Sequence, residues 1–398
     1  MTQMAKRPVS SGIPFWLDDL PSTNYPALDR DASFDVAIVG GGIVGLQTAH
    51  RLQDLGISVV LLEARRVGQQ ATGRSTAKVT SQHRLKYRSL LDNFGEEAAR
   101  LYAKANEEAV SEISRLAAAM DRDTQFSRKT AYVYAQDEAD IEALRGEHDA
   151  ARHLGLACQL VEEAGLPFRP PLLLAFAQQA QIDPAAYLAG LAGHLSDKIA
   201  IHEDSRVEEI EYGDPCRLAV NGHTVTARQV VLATQMPIAN DGFFFTKAYP
   251  LAHPIAAAPL PKGLVVDGMF VTAGSPSRSF RTAQMKGSTY LIAAGSEYKT
   301  GEENQEREGI EDLLTFMKEG FGIREVTHLW TSEDFRPMDG VPFIGAASSS
   351  KPNLFVATGF AAWGLTMGVV AADIIAAHIA GKRHEAAELF AANRLKPL

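Results

Sequence analysis

Cysteine is nearly absent from this chain, with two among 398 residues, Cys158 and Cys216, far apart and in no Cys-x-x-Cys or Cys-x-His spacing. Both read as reduced, ordinary side chains, and no cysteine-based metal or redox centre is expected. Basic residues are also in deficit, 39 Lys and Arg against 48 Asp and Glu, for a formal charge of -9. Polyphosphate backbones are bound by displacing counterions from a basic surface, so no nucleic-acid partner is expected. Residues 1–33 lack the apolar run of a secretory signal, which predicts a cytoplasmic protein. One nearly uncharged stretch, Asn353 to Gly381, is long enough for a ~30 Å hydrocarbon core. Its glycines divide it into a strand over 353–357, a turn over 358–368 and a helix over 369–379, so no membrane span is expected.

What remains is ordinary globular material, 46% hydrophobic and 22% charged, with no repeat or low-complexity tract. Its length allows two or three domains of ~150 residues. Asp35–Val39 is an apolar β-type run, Ile43–Asp54 has helical spacing, and Ser58–Leu62 is a second apolar run. Gly56 sits where a helix C-cap takes a left-handed residue. Residues 71–84 read as a polar loop, Leu85 to Met120 as two helices broken near Gly95, and 138–154 and 184–195 as further helices. Strand patterns over 198–202, 205–212, 217–220, 224–227 and 229–234 follow, then alternating strands including 270–272 and 290–294, and a helix near 310–318. The pattern is α/β at both ends with a more antiparallel middle.

Gly40-Gly41-Gly42-Ile43-Val44-Gly45 lies between the first strand and the first helix. The first glycine allows the tight turn, the second lets backbone approach a pyrophosphate, and the third permits close helix-to-strand packing. The pyrophosphate rests on the helix N-terminus. Glu63, followed by Ala64 and Arg65, ends the second strand, where an acidic side chain accepts hydrogen bonds from an adenosine ribose. This constellation predicts a bound dinucleotide but leaves FAD and NAD both open.

Three features favour FAD. The loop Ala71-Thr72-Gly73-Arg74-Ser75-Thr76-Ala77-Lys78 offers backbone and hydroxyl donors to phosphates and a flavin ring. The run Val230-Val231-Leu232-Ala233-Thr234 resembles the strand that returns to the nucleotide domain in two-domain flavoproteins. The turn Gly359-Phe360-Ala361-Ala362-Trp363-Gly364-Leu365-Thr366 feeds a helix whose N-terminus suits negative charge on a reduced flavin. Val207 joins Ala233 and Thr234 as an expected cofactor contact.

With these residues the chain resembles the D-amino acid oxidase-like (DAO) family of FAD-dependent oxidoreductases, from about Asp35 to Ala380. The runs Thr76 to His83, Trp330 to Asp334 and Arg336 to Gly345 look like the branch often fused to a Rieske iron–sulfur module. This chain shows no Cys-x-His and Cys-x-x-His pair before Leu398, so an internal electron exit is expected to be absent. The resemblance implies a Rossmann-like, discontinuous FAD-binding domain plus a mixed, mainly antiparallel-sheet substrate domain. Residues 34–84, 183–240 and 335–398 would form the first, 85–182 and 241–334 the second, with 1–33 as an N-terminal extension.

It also implies oxidation of a C–N bond in a small amine or amino acid. A hydride passes from the α C–H to flavin N5, the imine hydrolyses, and O2 or another acceptor reoxidises the flavin. FAD is expected to be held non-covalently, since neither cysteine matches an attachment position. Arg281 falls where relatives place an arginine for a substrate carboxylate, with Arg278 an equal competitor. His83, Tyr249, His253, Trp330 and Trp363 are candidate pocket residues, a stripe that would equally suit a core. A flavin monooxygenase or an NAD(P)H-dependent disulfide reductase would ask for a second nucleotide turn or a cysteine pair, and neither is present. A flavin-binding subunit served by a separate electron-transfer partner is the remaining alternative.

Overall fold

A computed structural model describes residues 10–19, 22–239 and 242–394. Residues 1–9, 20 and 21 of the expected N-terminal extension lie outside the described residues.

Short runs of Val, Leu and Ile that are buried on both faces build the first sheet. Val59–Leu62 is buried throughout, as are Val36 to Val39, Val230 to Leu232 and Leu354 to Ala357. Such two-sided burial is what a parallel sheet covered by helices requires. The parallel strands lie in the order Ala200–His202, Val59–Leu62, Ala32–Val39, His223–Leu232, Lys351–Thr358. Phe343–Ser348 closes one edge antiparallel, and the strands Val207–Glu211 and Cys216–Val220 extend from His223–Leu232. In chain order this is the 3-2-1-4-5 arrangement of a Rossmann-type sheet, and its order reverses between Ala32–Val39 and His223–Leu232.

Two helices bury this sheet on one side. Ile43–Asp54 and Gly364–Ile379 pack so closely that a Cβ on Gly368 would stand 2.7 Å from Ile43 Cγ2. Gly368 therefore serves helix packing and does not interrupt the helix. This is why the last helix begins at Gly364 rather than at Val369, where the glycines of the sequence had placed its start. The runs 224–227 and 229–234, expected as separate strands, are one strand, His223–Leu232, because the backbone stays extended through Arg228. The long helical stretch Lys86–Ala119 is broken at Gly95, whose φ of 83° is outside helical space.

The second sheet has 11 strands and is mostly antiparallel. Its centre is a meander of Met269–Thr272, Ser279–Met285 and Ser288–Ala294, with Ala248–Pro259 beside the last of these, flanked by His328–Pro337 on one side and Ser127–Tyr134 and Leu173–Gln181 on the other. The short strand Lys78–Val79 pairs with Ala180 and Gln181 at its far edge, so the polar loop of the first sheet runs directly into the second. No helix among the described residues is long and apolar enough to cross a membrane.

Candidate active site

The turn after Ala32–Val39 sits at the point where the strand order reverses. Gly40 has φ 112°, and a Cβ there would lie 2.5 Å from Ala233 O. The chain thus brings its first glycine directly against the strand end carrying Ala233 and Thr234. Gly45 packs on the same turn, since its Cβ would stand 1.9 Å from Gly40 O. Gly42, at the N-cap of the helix that starts at Ile43, has no side chain to cap it, and the Ile43 N–H donates instead to Thr72 Oγ1 of the hydroxyl-rich loop at 3.3 Å. Glu63, 7% exposed, accepts from Gly41 N at 2.7 Å and from Arg65 N at 2.9 Å.

From this turn a cavity of about 490 Å³ extends across both sheets, within the ~300–1,000 Å³ common for ligand sites. At one end its wall holds Gly40 to Val44, Glu63 and Ala64, with Val207, Ala233 and Thr234 beside them. Its middle is formed by Thr72, Ser75, Thr76 and Ala77 opposite Gly359, Phe360 and Trp363 to Leu365. Beyond the helix N-terminus at Trp363, which also has no side-chain cap, lie His253, Glu297, Asp334, Arg336, Arg84, Lys78 and Ser279.

The sequence had marked most of the first two groups. Gly45, Gly73, Arg74, Arg65 and Thr366 stand behind the wall and shape it. A Cβ on Gly73 would stand 2.1 Å from Gly68 O, which tightens the hydroxyl-rich loop, and Thr366 Oγ1 donates to Thr80 O at 3.2 Å. Arg74 Nε donates to Thr331 O at 3.1 Å, tying that loop to the second sheet.

The substrate-side candidates separate sharply. His253 and Trp363 line the cavity. His83 does not: it is 2% exposed, stacks on Trp363 with ring centroids 4.6 Å apart, and hydrogen-bonds Tyr102 Oη at 2.6 Å and Thr80 O at 2.8 Å. Burial, with Lys86 nearby, pushes its pKa down to about 3, so it supports Trp363 as a neutral ring. Tyr249 is 43% exposed and reaches Arg336 from outside the cavity. Trp330 is 2% exposed and donates from Nε1 to Arg74 O at 2.8 Å.

Arg281 is the clearest correction. It is 1% exposed, and its guanidinium donates to Thr76 O, to Ile182 O at 2.7 Å and to Thr282 O at 3.1 Å, while stacking over Trp16. Its donors are spent on backbone carbonyls behind the cavity wall. Arg278 is no substitute, since it pairs with Asp312 at 2.6 Å. Among the described residues five cations line the cavity, Arg66 and Arg206 with the glycine-turn group and Lys78, Arg84 and Arg336 with His253 and Glu297, none of them singled out individually from the sequence. Arg336 and Asp334 fall inside the runs that carried the family resemblance, which was the available signal for them.

Electrostatics at this end are unusual. Arg336 and Glu297 form an ion pair. The Asp334 carboxylate accepts from Ala362 N and from Phe335 N, yet its burial pushes its pKa up to about 6. It thereby anchors Ala361 and Ala362, whose φ values of 50° and 74° are left-handed. Burial holds His253 below the ordinary histidine range, and drives Lys78 down to about 7 with help from Arg281.

Over residues 35–378 the sequence matches the DAO family, described as FAD dependent oxidoreductase. The chain belongs to that family. Among its relatives, the "Putative Rieske 2Fe-2S iron-sulfur protein YhfW" of Bacillus subtilis is 31% identical over 94% of this chain and 74% of its own. In fold, glycine oxidase from Geobacillus kaustophilus is similar with a TM-score of 0.75, covering 92% of this chain and 100% of its own at 19% identity. L-proline dehydrogenase from P. horikoshii gives 0.77 at 16% identity, with 92% and 98% covered.

FAD is the cofactor of this DAO-family oxidoreductase, and the residues present fit it. The glycine turn excludes any Cβ at Gly40, two helix N-termini whose N-cap residues make no side-chain cap bond lie along one cavity, and Glu63 ends the second strand. Neither cysteine lines the cavity.

Proposed function

We propose that this oxidoreductase acts on the C–N bond of a small amine or amino acid. The observation that supports this best is the composition of the cavity beyond Trp363, where Arg84 and Arg336 stand with Glu297, Asp334, His253 and Lys78 around a space continuous with the cofactor channel. Bound FAD supplies the two-electron oxidant. The chain's own side chains hold and orient the substrate: Arg336, braced by Glu297, is placed to grip a carboxylate, and His253 is a neutral polar neighbour. The Trp363 ring, stacked on His83, gives the substrate a fixed wall.

An anaerobic titration with a panel of amines and amino acids tests this reading. Bleaching of the visible flavin band by at least one amine is expected, and bleaching by NADPH with none by any amine overturns it. A second reading concerns where the electrons go. A relative with an iron–sulfur name and greater length favours transfer to a separate iron–sulfur partner over O2. Repeating each assay with and without oxygen separates the two, since an oxidase reoxidises rapidly in air and a dehydrogenase does not.

A further inference from the structure

Lys78 is half-buried, its amine set into the cavity wall, and among the described residues it has no acid to hold its proton. It lies on the strand Lys78–Val79, lines the cavity beside Ser279, and hydrogen-bonds Ser279 Oγ and Thr76 Oγ1, the latter at 3.3 Å. Among the described residues it makes no ion pair. The one charged group there whose field bears on it is Arg281, whose guanidinium also reaches Thr76, through its carbonyl, from the strand Ser279–Met285. Asp183, which caps the helix Pro184–Leu195, offsets Arg281 and not Lys78. Gln181, the strand partner of Lys78, is uncharged.

An ammonium set into this wall and facing a second cation, with only hydroxyls for partners, is a poor place to keep a proton. Desolvation and a neighbouring cation are the two means by which a lysine becomes a base at neutral pH. The remaining titratable groups at this end of the cavity are less suited to the task. Glu297 is paired with Arg336, Glu333 is exposed to solvent, Asp334 is held by two backbone N–H groups, Arg84 donates to Thr272 O, Ala273 O and Gly274 O, and His253 is held below its ordinary range.

We infer that Lys78 is a catalytic residue of the C–N oxidation, the general base that takes a proton from the incoming substrate ammonium. An N–H bond of the ammonium breaks, its electron pair stays on the substrate nitrogen as the lone pair that oxidation requires, and the Lys78 lone pair forms the new N–H bond. The hydroxyls of Ser279 and Thr76 receive the hydrogen bonds of the ammonium that results. No oxidant is consumed in this step, which precedes oxidation.

This rests on the C–N reading, and its test separates the two. In the holoenzyme, kcat/KM for an alkylamine is expected to rise through a limb near neutrality and level off. Lys78→Met and Lys78→Arg, the second keeping a cation in place without an available lone pair, should move that limb towards the substrate's own ionisation, about 10 for an alkylamine. At pH 7.5 the loss is then roughly 100-fold or more, shrinking towards none near pH 10. Small exogenous bases should restore part of the lost rate in Lys78→Met. A direct second readout is the ¹⁵N titration of Lys78 in lysine-labelled holoenzyme, assigned by its absence from Lys78→Arg, with an expected midpoint near neutrality.

A variant profile that keeps the wild-type limb, a loss equal at every pH, or a Lys78 resonance that stays charged to pH 10 overturns the inference while amines still bleach the flavin. If no amine bleaches the flavin of the wild type, the C–N reading itself has failed.

Discussion

Trp16 and Trp330 donate their indole N–H groups to adjacent carbonyls of one loop, Ser75 O at 2.9 Å and Arg74 O at 2.8 Å. One comes from the N-terminal segment and the other from the second sheet, so the hydroxyl-rich loop is clamped from two sides. Each bond fixes backbone that must meet the cofactor in one geometry. Trp16→Phe and Trp330→Phe keep the ring packing and lose the donor, leaving a carbonyl without its partner. Each is expected to cost about 1–2 kcal/mol of cofactor affinity, roughly five- to thirty-fold in the Kd for FAD. Fluorescence titration of apoprotein with FAD measures it, and unchanged Kd values in both variants would show that the clamp does not order the loop.

Gly40→Ala addresses the other end of the cofactor site. The added Cβ would meet Ala233 O at 2.5 Å on a residue whose φ is 112°, and a backbone carbonyl fixed in a parallel sheet does not yield. The turn must shift, and with it the N–H groups aimed at the pyrophosphate. Purified Gly40→Ala protein should carry less than about a tenth of the wild-type flavin, read from the ratio of visible to protein absorbance. Gly146→Ala is the control, because its Cβ would meet nothing within 4 Å and its backbone lies inside the helix Ala139–His153.

These two sites show why the sequence was legible where it was. The glycine turn, Glu63 and the hydroxyl-rich loop are contiguous in the chain, so their order carries their geometry. The substrate end is assembled from Lys78, His253, Glu297, and Asp334 with Arg336, drawn from segments far apart in the chain that non-sequential strand pairing brings together. Spacing says which face of a strand a side chain takes, but not which partner strand lies beside it. Arg281 illustrates the limit: it falls where relatives place an arginine for a carboxylate, and here its guanidinium meets three backbone carbonyls. Strand Leu173–Gln181 was silent because its second half, Ala-Gln-Gln-Ala-Gln, has neither β-branched nor aromatic residues.

Asp334 predicts a pH dependence with a definite sign. Its folded pKa of about 6 lies above the ordinary aspartate value near 3.9. Between those two values the folded chain holds a proton that the unfolded chain has released, so stability falls as pH rises through this window and is level on either side. Asp334→Asn keeps an acceptor for Ala362 N and removes the titration. The difference in Tm between variant and wild type should therefore shift in the variant's favour as pH climbs from about 4 to about 6. A difference curve flat across that range would mean that the carboxyl is ionised throughout.

Arg281 and Arg336 separate structure from substrate binding. Removing the Arg281 side chain takes the donor from the carbonyls of Thr76 and Ile182 inside the protein, while Thr282 O keeps its bond from Gln181 Nε2, at roughly 1–3 kcal/mol for each group left without a partner. Arg281→Met should accordingly lower Tm by several degrees or more, with KM changing little among the molecules that fold. Arg336 is half-buried at the cavity wall and its loss removes a partner only from Glu297 and Tyr249, both of which water can reach. Arg336→Met is expected to raise KM for a carboxylate-bearing amine about 10- to 100-fold, while leaving flavin content and KM for an amine without a carboxylate nearly unchanged. Thermal unfolding of both variants, set beside their KM values for such a substrate pair, decides it. A large KM effect in Arg281→Met with normal Tm would return Arg281 to the substrate side, and an Arg336→Met enzyme with unaltered selectivity would leave the carboxylate to Arg84.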